Sequence, residues 1–439
     1  MLLFSNKSLT LKNYFSFLLS ILPICFVAGN LLINANILIL ILSALFFFKS
    51  KIFQIKYYLF DKLLILFFFL IFYTGFYNDY FFYLDEKAWK GYFSTVIKSI
   101  FFFRYLFLYF ILRYLVEKQI IDLKPFFITC ALAAIFVSLD IFYQFIFGKD
   151  IFGFETSSSG RKLSGPFGDE LIAGSFIQRF CIFSFFISPL YFQNMSKYSK
   201  FLIPILFIIF FMAIMLSGNR MPMLLFIFSV VLILIFNKQT RKFLIPFVLI
   251  FTFLFGLIFN FNKDVRLNFI SFYSQISKMI VIVKNNDFKN ERSPEYLKQF
   301  ETFYETWLMN KYIGGGIKNF RYYCHERPIV VKDTRLICNM HPHNYYLEIL
   351  TELGAVGFIL IVPIIFLVLY LTFYKKYFTN SSLRNNNLIT PFIFLFISEI
   401  FPLKGTGSFF TTNNATYLFL IIAILIGLIH KNNLIENKK

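Results

Sequence analysis

The sequence predicts an all-α polytopic membrane protein, with about twelve transmembrane helices and a helical cap outside the bilayer. Three observations predict it. The 439 residues are 58% hydrophobic and only 15% charged, with a mean hydropathy of +0.68, more apolar side chain than a soluble core can use. Apolar runs of roughly 17 or more residues recur, and inside a bilayer only helices or closed barrels satisfy the backbone. The basic residues also fall in every second short loop, the positive-inside pattern. The formal charge of +20 is spread over these loops, with no single patch and no recognition helix. Nucleic acid is therefore not an expected partner, whereas local phosphate binding stays open. The 68 phenylalanines read as lipid-facing filler rather than aromatic cages.

In order, the spans are expected at roughly 13–30, 31–48, 60–78, 97–115, 125–147, 171–193, 201–217, 220–237, 243–262, 343–373, 388–403 and 414–430. The basic loops run from Lys7 and Lys12 through Arg113 and Lys118, then Lys238, Arg241 and Lys242, to Lys431, Lys438 and Lys439. Both termini are thus expected in the cytoplasm. The N-terminus lacks a small-residue cleavage site, so the first span is expected to be retained. The opposite face holds the loop around 79–96, the segment 148–170, a tight turn at 217–220 and a large polar segment. The chain divides into 1–262 (transmembrane helices with short loops), 263–342 (a loop domain outside the membrane) and 343–439 (further helices and a cytoplasmic tail). In the loop domain, "SPEYLKQFETFYETWLMNKY" has helical spacing, with Tyr296, Phe300, Phe303, Trp307 and Leu308 on one stripe.

Unusual polar residues collect on this non-cytoplasmic face. In "LSGNRMPML", Arg220 follows a glycine and precedes a proline between two apolar stretches. An arginine at membrane depth calls for a partner or an anion, and its planar fork suits a diphosphate. The competing reading is snorkelling to headgroups, which needs no broken helix. In "GRKLSGPFGDELIAGSF", Arg161 and Lys162 precede a Gly/Pro-rich re-entry and are candidates for phosphate attraction. Asp169 and Glu170 enter the next span at its first turn, as helix caps or as site residues. "GGGIKNFRYYC" offers close backbone approach, followed by Lys318 and Arg321. Cys324 and Cys338 lie on the oxidising side and are candidates for a disulfide. The other three cysteines fall in spans as packing residues. Arg104, inside "FFFRYLF", is a loose end.

"MHPHNYYLEILTELGAVG" carries His341 and His343 around Pro342. A two-apart pair with no third ligand is a poor zinc site, so no metal is expected. Pro342 fits an extended entry, and His343 with Asn344 opens a span near the positive end of its dipole. That position disfavours a charged imidazole and keeps it ready to accept a proton. Gly354 and Gly357 would let the helix pack closely against a neighbour.

His343-Asn344, nine residues, Gly354, two residues, Gly357 resembles the motif of the O-antigen ligase and Wzy-type polymerase superfamily. "LSGNRMPM" looks like its Ser/Gly-x-Arg turn, and "NKYIGGGIKNF" like its glycine-rich segment before the histidine. After Gly357 the chain reads "FIL", a departure from members that continue with small polar residues. The resemblance implies a GT-C-like bacterial inner-membrane protein with a periplasmic cap and metal-independent, inverting glycosyl transfer without cofactor. The donor would be a glycan on undecaprenyl diphosphate; the acceptor, a lipid A–core sugar or a second lipid-linked glycan, all met among membrane lipids. His343 would be the base and Arg220 would hold the diphosphate, with Arg321, Arg161, Lys162, Asn344 and His341 as helpers. "IGGGIKNF" lacks the GxxxxGK[ST] spacing, so a soluble nucleotide donor fits poorly. A flippase for lipid-linked oligosaccharide is the reading from another class; it would show internal repeats and midplane charges.

Overall fold

In the computed structural model, the described residues are 2–82, 94–155, 162–187, 199–237, 240–285, 294–326, 338, 341–379, 381–405 and 407–436. Among them there is no strand, only an isolated bridge between Lys149 and Glu155. Eight helical segments among the described residues are long and apolar enough to cross a membrane: Thr10–Ala28, Asn30–Gln54, Leu59–Phe81, Ser94–Glu117, Lys124–Phe147, Arg241–Phe261, Tyr345–Phe378 and Thr412–Asn432. Four shorter apolar helices, Ala173–Phe186, Leu202–Leu216, Arg220–Phe236 and Ile389–Glu399, fall within the sequence-expected spans at 171–193, 201–217, 220–237 and 388–403. The chain is a multi-pass membrane protein.

The Thr412–Glu436 helix sits at the centre, packed along Arg104–Glu117. Gly427 permits that approach, since a Cβ there would meet Val116 Cβ at 2.9 Å and the Arg113 carbonyl oxygen at 3.1 Å. Aromatic side chains fill the seams. Phe68 lies 5.3 Å from Phe419 between ring centroids, and Phe183 lies 5.1 Å from Phe392. Many phenylalanines therefore belong to the core, contrary to the filler reading. The bundle is crowded enough that interior positions need large apolar rings as much as its lipid face does.

Arg113, expected in a basic loop, lies inside a helix that runs to Glu117 and is fully buried. It pairs with the equally buried Asp61, which also accepts from Tyr109 Oη at 2.6 Å; Arg113 donates to the Lys56 carbonyl at 2.7 Å. A charge in so apolar a bundle persists because Asp61 pairs with it and Glu117 lies 3.7 Å from its Nε.

The segment after Phe261 forms two further helices, Lys263–Asn285 and Glu295–Met309. Of the expected stripe on the second, Phe303 is buried while Phe300 and Leu308 are exposed. The buried face runs instead through Thr302, Phe303 and Thr306, whose hydroxyls bond back to the preceding turn. Apolar periodicity misread this helix because threonine can bury its hydroxyl on its own backbone.

Candidate functional site

The chain enters the Tyr345–Leu369 helix through Asn344, in extended conformation (φ −144°, ψ 129°). Its side-chain oxygen accepts from the Tyr346 and Leu347 amides at 3.0 and 3.2 Å, a complete N-cap. Its side-chain nitrogen donates to the Pro402 and Lys404 carbonyls at 2.8 and 3.2 Å. One side chain thus ties the helix start to a loop almost sixty residues further on. Just before it, the His341 and His343 rings meet edge to face at 4.6 Å, both half-buried. Burial, then His343 and Arg321, push the His341 imidazole down to about 4, so it is neutral at physiological pH.

The helix is not continuous. Gly354 breaks it with φ 67° and ψ −169°, a conformation only glycine adopts readily. Into the break comes the main chain of the glycine-rich loop. Gly315 and Gly316 donate to the Thr351 and Glu352 carbonyls at 3.0 and 2.8 Å, and Ala355 and Val356 donate to Lys311 and Tyr312 at 2.8 and 3.2 Å. A Cβ on Gly314 would lie 2.5 Å from the Glu352 carbonyl carbon, and one on Gly354 only 2.2 Å from the Tyr312 oxygen. Gly354 thus permits the close approach expected of it, and the neighbour it admits is the main chain of a loop. Beyond the seam, Lys318 takes a positive φ of 55°, and its amide donates to Glu352 Oε2 at 2.7 Å.

Charged groups gather around these elements. Glu399 is fully buried and accepts from Arg179 Nη2 at 2.6 Å, from Lys404 Nζ at 2.5 Å and from the Tyr345 hydroxyl. Arg179 also donates to Asn413 and Asn414, at 3.0 and 2.6 Å. Burial, and then Arg179, lower Lys404 to about 8 against the pull of Glu399. One turn into the histidine helix, buried Glu348 accepts from Ser408 Oγ and the Phe409 amide. Lys98 Nζ donates to the Lys318 carbonyl at 3.4 Å, and Arg104 donates to Tyr105 Oη at 2.7 Å and Thr412 Oγ1 at 3.3 Å. Burial, and then Arg104, lower the Lys318 ammonium.

Among the sequence candidates, His341, His343, Asn344 and Arg321 thus come together. Arg220 opens its own helix, half-buried, with its guanidinium 5.5 Å from the Phe272 ring and Val265 and Asn268 beside it. The helix break at Gly218–Asn219 is as the sequence suggests, and Phe272 comes from the Lys263–Asn285 helix. Lys162 is exposed; Arg161 lies outside the described residues. Asp169 and Glu170 sit on an exposed turn before the Ala173–Phe180 helix, not in its first turn, because the Gly165–Phe167 turn delays the helix. Cys324 and Cys338 form a disulfide with Cα atoms 5.8 Å apart. Among the described residues, no three His, Cys, Asp or Glu side chains group as a metal site.

Sequence reasoning passed over Arg179, Glu399, Lys404 and Lys98. Its available signal was an ionisable residue in or beside an apolar run, such as Arg179 in "FIQRFCIF" or Glu399 in "FISEIF". Glu348 and Glu352, four apart on an otherwise apolar helix, carried the same signal.

Residues 205–362 match the family model described as O-antigen ligase. The match spans Arg220, the cap, the glycine loop and the histidines, and leaves out Lys162, Arg179, Glu399 and Lys404. Among curated proteins, none matches the chain.

Proposed function

We propose, with the O-antigen ligase domain at residues 205–362 as premise, that this membrane protein is a glycosyltransferase. It moves a glycan from undecaprenyl diphosphate to a lipid A–core acceptor at the periplasmic face of the bacterial inner membrane, its termini lying in the cytoplasm. His343 takes the proton of the acceptor hydroxyl as that oxygen attacks the anomeric carbon. The bond from that carbon to the diphosphate oxygen breaks on the opposite side, inverting the configuration, and the electron pair leaves with the diphosphate. Arg220 holds the diphosphate and stabilises the charge that grows there, aided by Arg321 and by the Arg161–Lys162 pair. Diphosphate is a good leaving group, so the reaction needs neither a general acid nor a metal.

Asn344 and His341 serve as positioning residues in this reading. Both polar ends of the Asn344 amide are committed to the helix start and the 402–404 loop, which sets where His343 stands. His341, neutral and edge-on to the His343 ring, adds no charge that would discourage protonation of its neighbour. The family match is the observation that carries the proposal.

The test is glycan analysis of a strain lacking the chain. Long glycan chains accumulating on the carrier are expected. Single repeat units on the lipid A–core would instead identify the polymerase of the same superfamily, and carrier-linked glycan held on the cytoplasmic side would identify a flippase.

A further inference from the structure

The side chains that follow His343 in sequence all reach one short turn. Asn344 Nδ2 donates to the Pro402 and Lys404 carbonyls, the Tyr345 hydroxyl to Glu399, and the Tyr346 hydroxyl to the Ile400 carbonyl at 2.5 Å. That turn, residues 399–404, leaves the Ile389–Glu399 helix and is closed from within. Glu399 Oε1 accepts from Lys404 Nζ at 2.5 Å, and the Lys404 amide donates to the Phe401 carbonyl at 3.0 Å. It is also held from outside. Arg179, on the Ala173–Phe180 helix, donates to both Glu399 oxygens, Nη2 to Oε1 at 2.6 Å and Nε to Oε2 at 3.2 Å. Its Nη1 reaches Asn413 at 3.0 Å, at the start of the central helix. Glu399 Oε1 alone accepts from Arg179, Lys404 and Tyr345, a load suited to a carboxylate. An amide there would turn its own N–H groups toward a guanidinium or an ammonium.

We infer that Glu399 is a positioning residue for His343, acting through Tyr345 and the 399–404 turn, with Arg179 and Lys404 as its fixed counter-charges. The inference rests on the proposed function, in which His343 is the base. A base works only with its nitrogen within hydrogen-bond reach of the attacking hydroxyl, and a displacement of about 1 Å costs about 10²-fold in rate. His343 stands just ahead of a helix start, where a chain frays unless its first turn is tied down. Here the first turn is tied to a buried ion cluster that joins the ends of separate helices.

The experiment uses the full chain in lipid nanodiscs and reads two quantities. One is the imidazole NMR signal of His343, assigned by its loss in His343→Ala. The other is kcat and KM, per folded molecule, for transfer from lipid-linked glycan extracted from the host strain to lipid A–core of the same strain. Glu399→Gln should lower kcat about 10²-fold and Tyr345→Phe about tenfold, with KM within about twofold of wild type and the His343 signal displaced in both. Asp61→Asn, which breaks the buried pair with Arg113, is the structural control. It should lower the melting temperature as Glu399→Gln does, yet keep kcat and the His343 signal. Tyr345→Phe keeps its ring and leaves both ion pairs of Glu399 intact, so it carries the test if Glu399→Gln does not fold. An unmoved His343 signal in Tyr345→Phe, or a kcat that falls no further in Glu399→Gln than in Asp61→Asn, would overturn the inference. A raised KM with kcat kept would overturn it too, by assigning the cluster to substrate binding. Transfer retained by His343→Ala would instead sink the proposed function, and the His343 signal would still decide the positioning.

Discussion

Gly354→Ala is the sharpest probe of how the histidine helix is built. The native φ of 67° with ψ −169° lies in a region that costs an alanine about 1–3 kcal/mol in backbone strain alone. The new Cβ would sit 2.2 Å from the Tyr312 carbonyl oxygen and 2.5 Å from the Ile313 nitrogen, main-chain atoms that cannot swing aside as a side chain would. Relief requires moving the glycine loop off the helix. That weakens the bonds from Gly315, Gly316, Ala355 and Val356, each worth about 1 kcal/mol. The combined loss is about 5–7 kcal/mol if all four bonds are lost, enough to open the seam. The assay is thermal unfolding of the detergent-solubilised protein, followed by size-exclusion fluorescence, alongside Gly256→Ala. Gly256 sits inside a helix, and a Cβ there would meet nothing within 4 Å, so its alanine variant should be neutral or slightly stabilising. Equal unfolding temperatures for Gly354→Ala and wild type would refute the reasoning.

Three further outcomes are expected. His343→Ala should insert normally yet lose glycan transfer by about 10²-fold or more, and retained transfer in a reporter strain would remove its role as base. Arg220→Lys keeps the charge but loses the planar fork, so transfer should fall sharply; wild-type activity would sink the bidentate diphosphate contact. Because the folded chain holds His341 near 4, against an ordinary 6.5, the unfolded chain binds more protons between those values. Stability from this group is fully present above about pH 6.5 and lost as pH falls through about 4, and His341→Gln should flatten that part of the melting-temperature profile.

Hydropathy made the apolar membrane helices legible, since the spans are local runs and the bilayer dictates their length. The histidine stretch was legible for a related reason: proline, cap and helix start lie within a few consecutive residues. What escaped was set by distance along the chain. Arg179 meets Glu399 across 220 residues, and neither residue announces the other in the sequence. The break at Gly354 escaped because a glycine that admits a loop and one that admits a helix look alike until the incoming main chain is seen. Arg113 was misplaced because loop charge and helix-buried charge read identically at the end of an apolar run. The cap stripe failed because threonine counts as polar by composition yet can hide its hydroxyl.

The seam between the glycine loop and the broken helix is written in main chain. Lys311 and Tyr312 contribute carbonyls to it, while the Tyr312 side chain keeps 71% of its surface in the open. The joint is therefore indifferent to what that side chain is. Position 312 offers a place for a spin label or fluorophore that would sit beside this joint without loosening it.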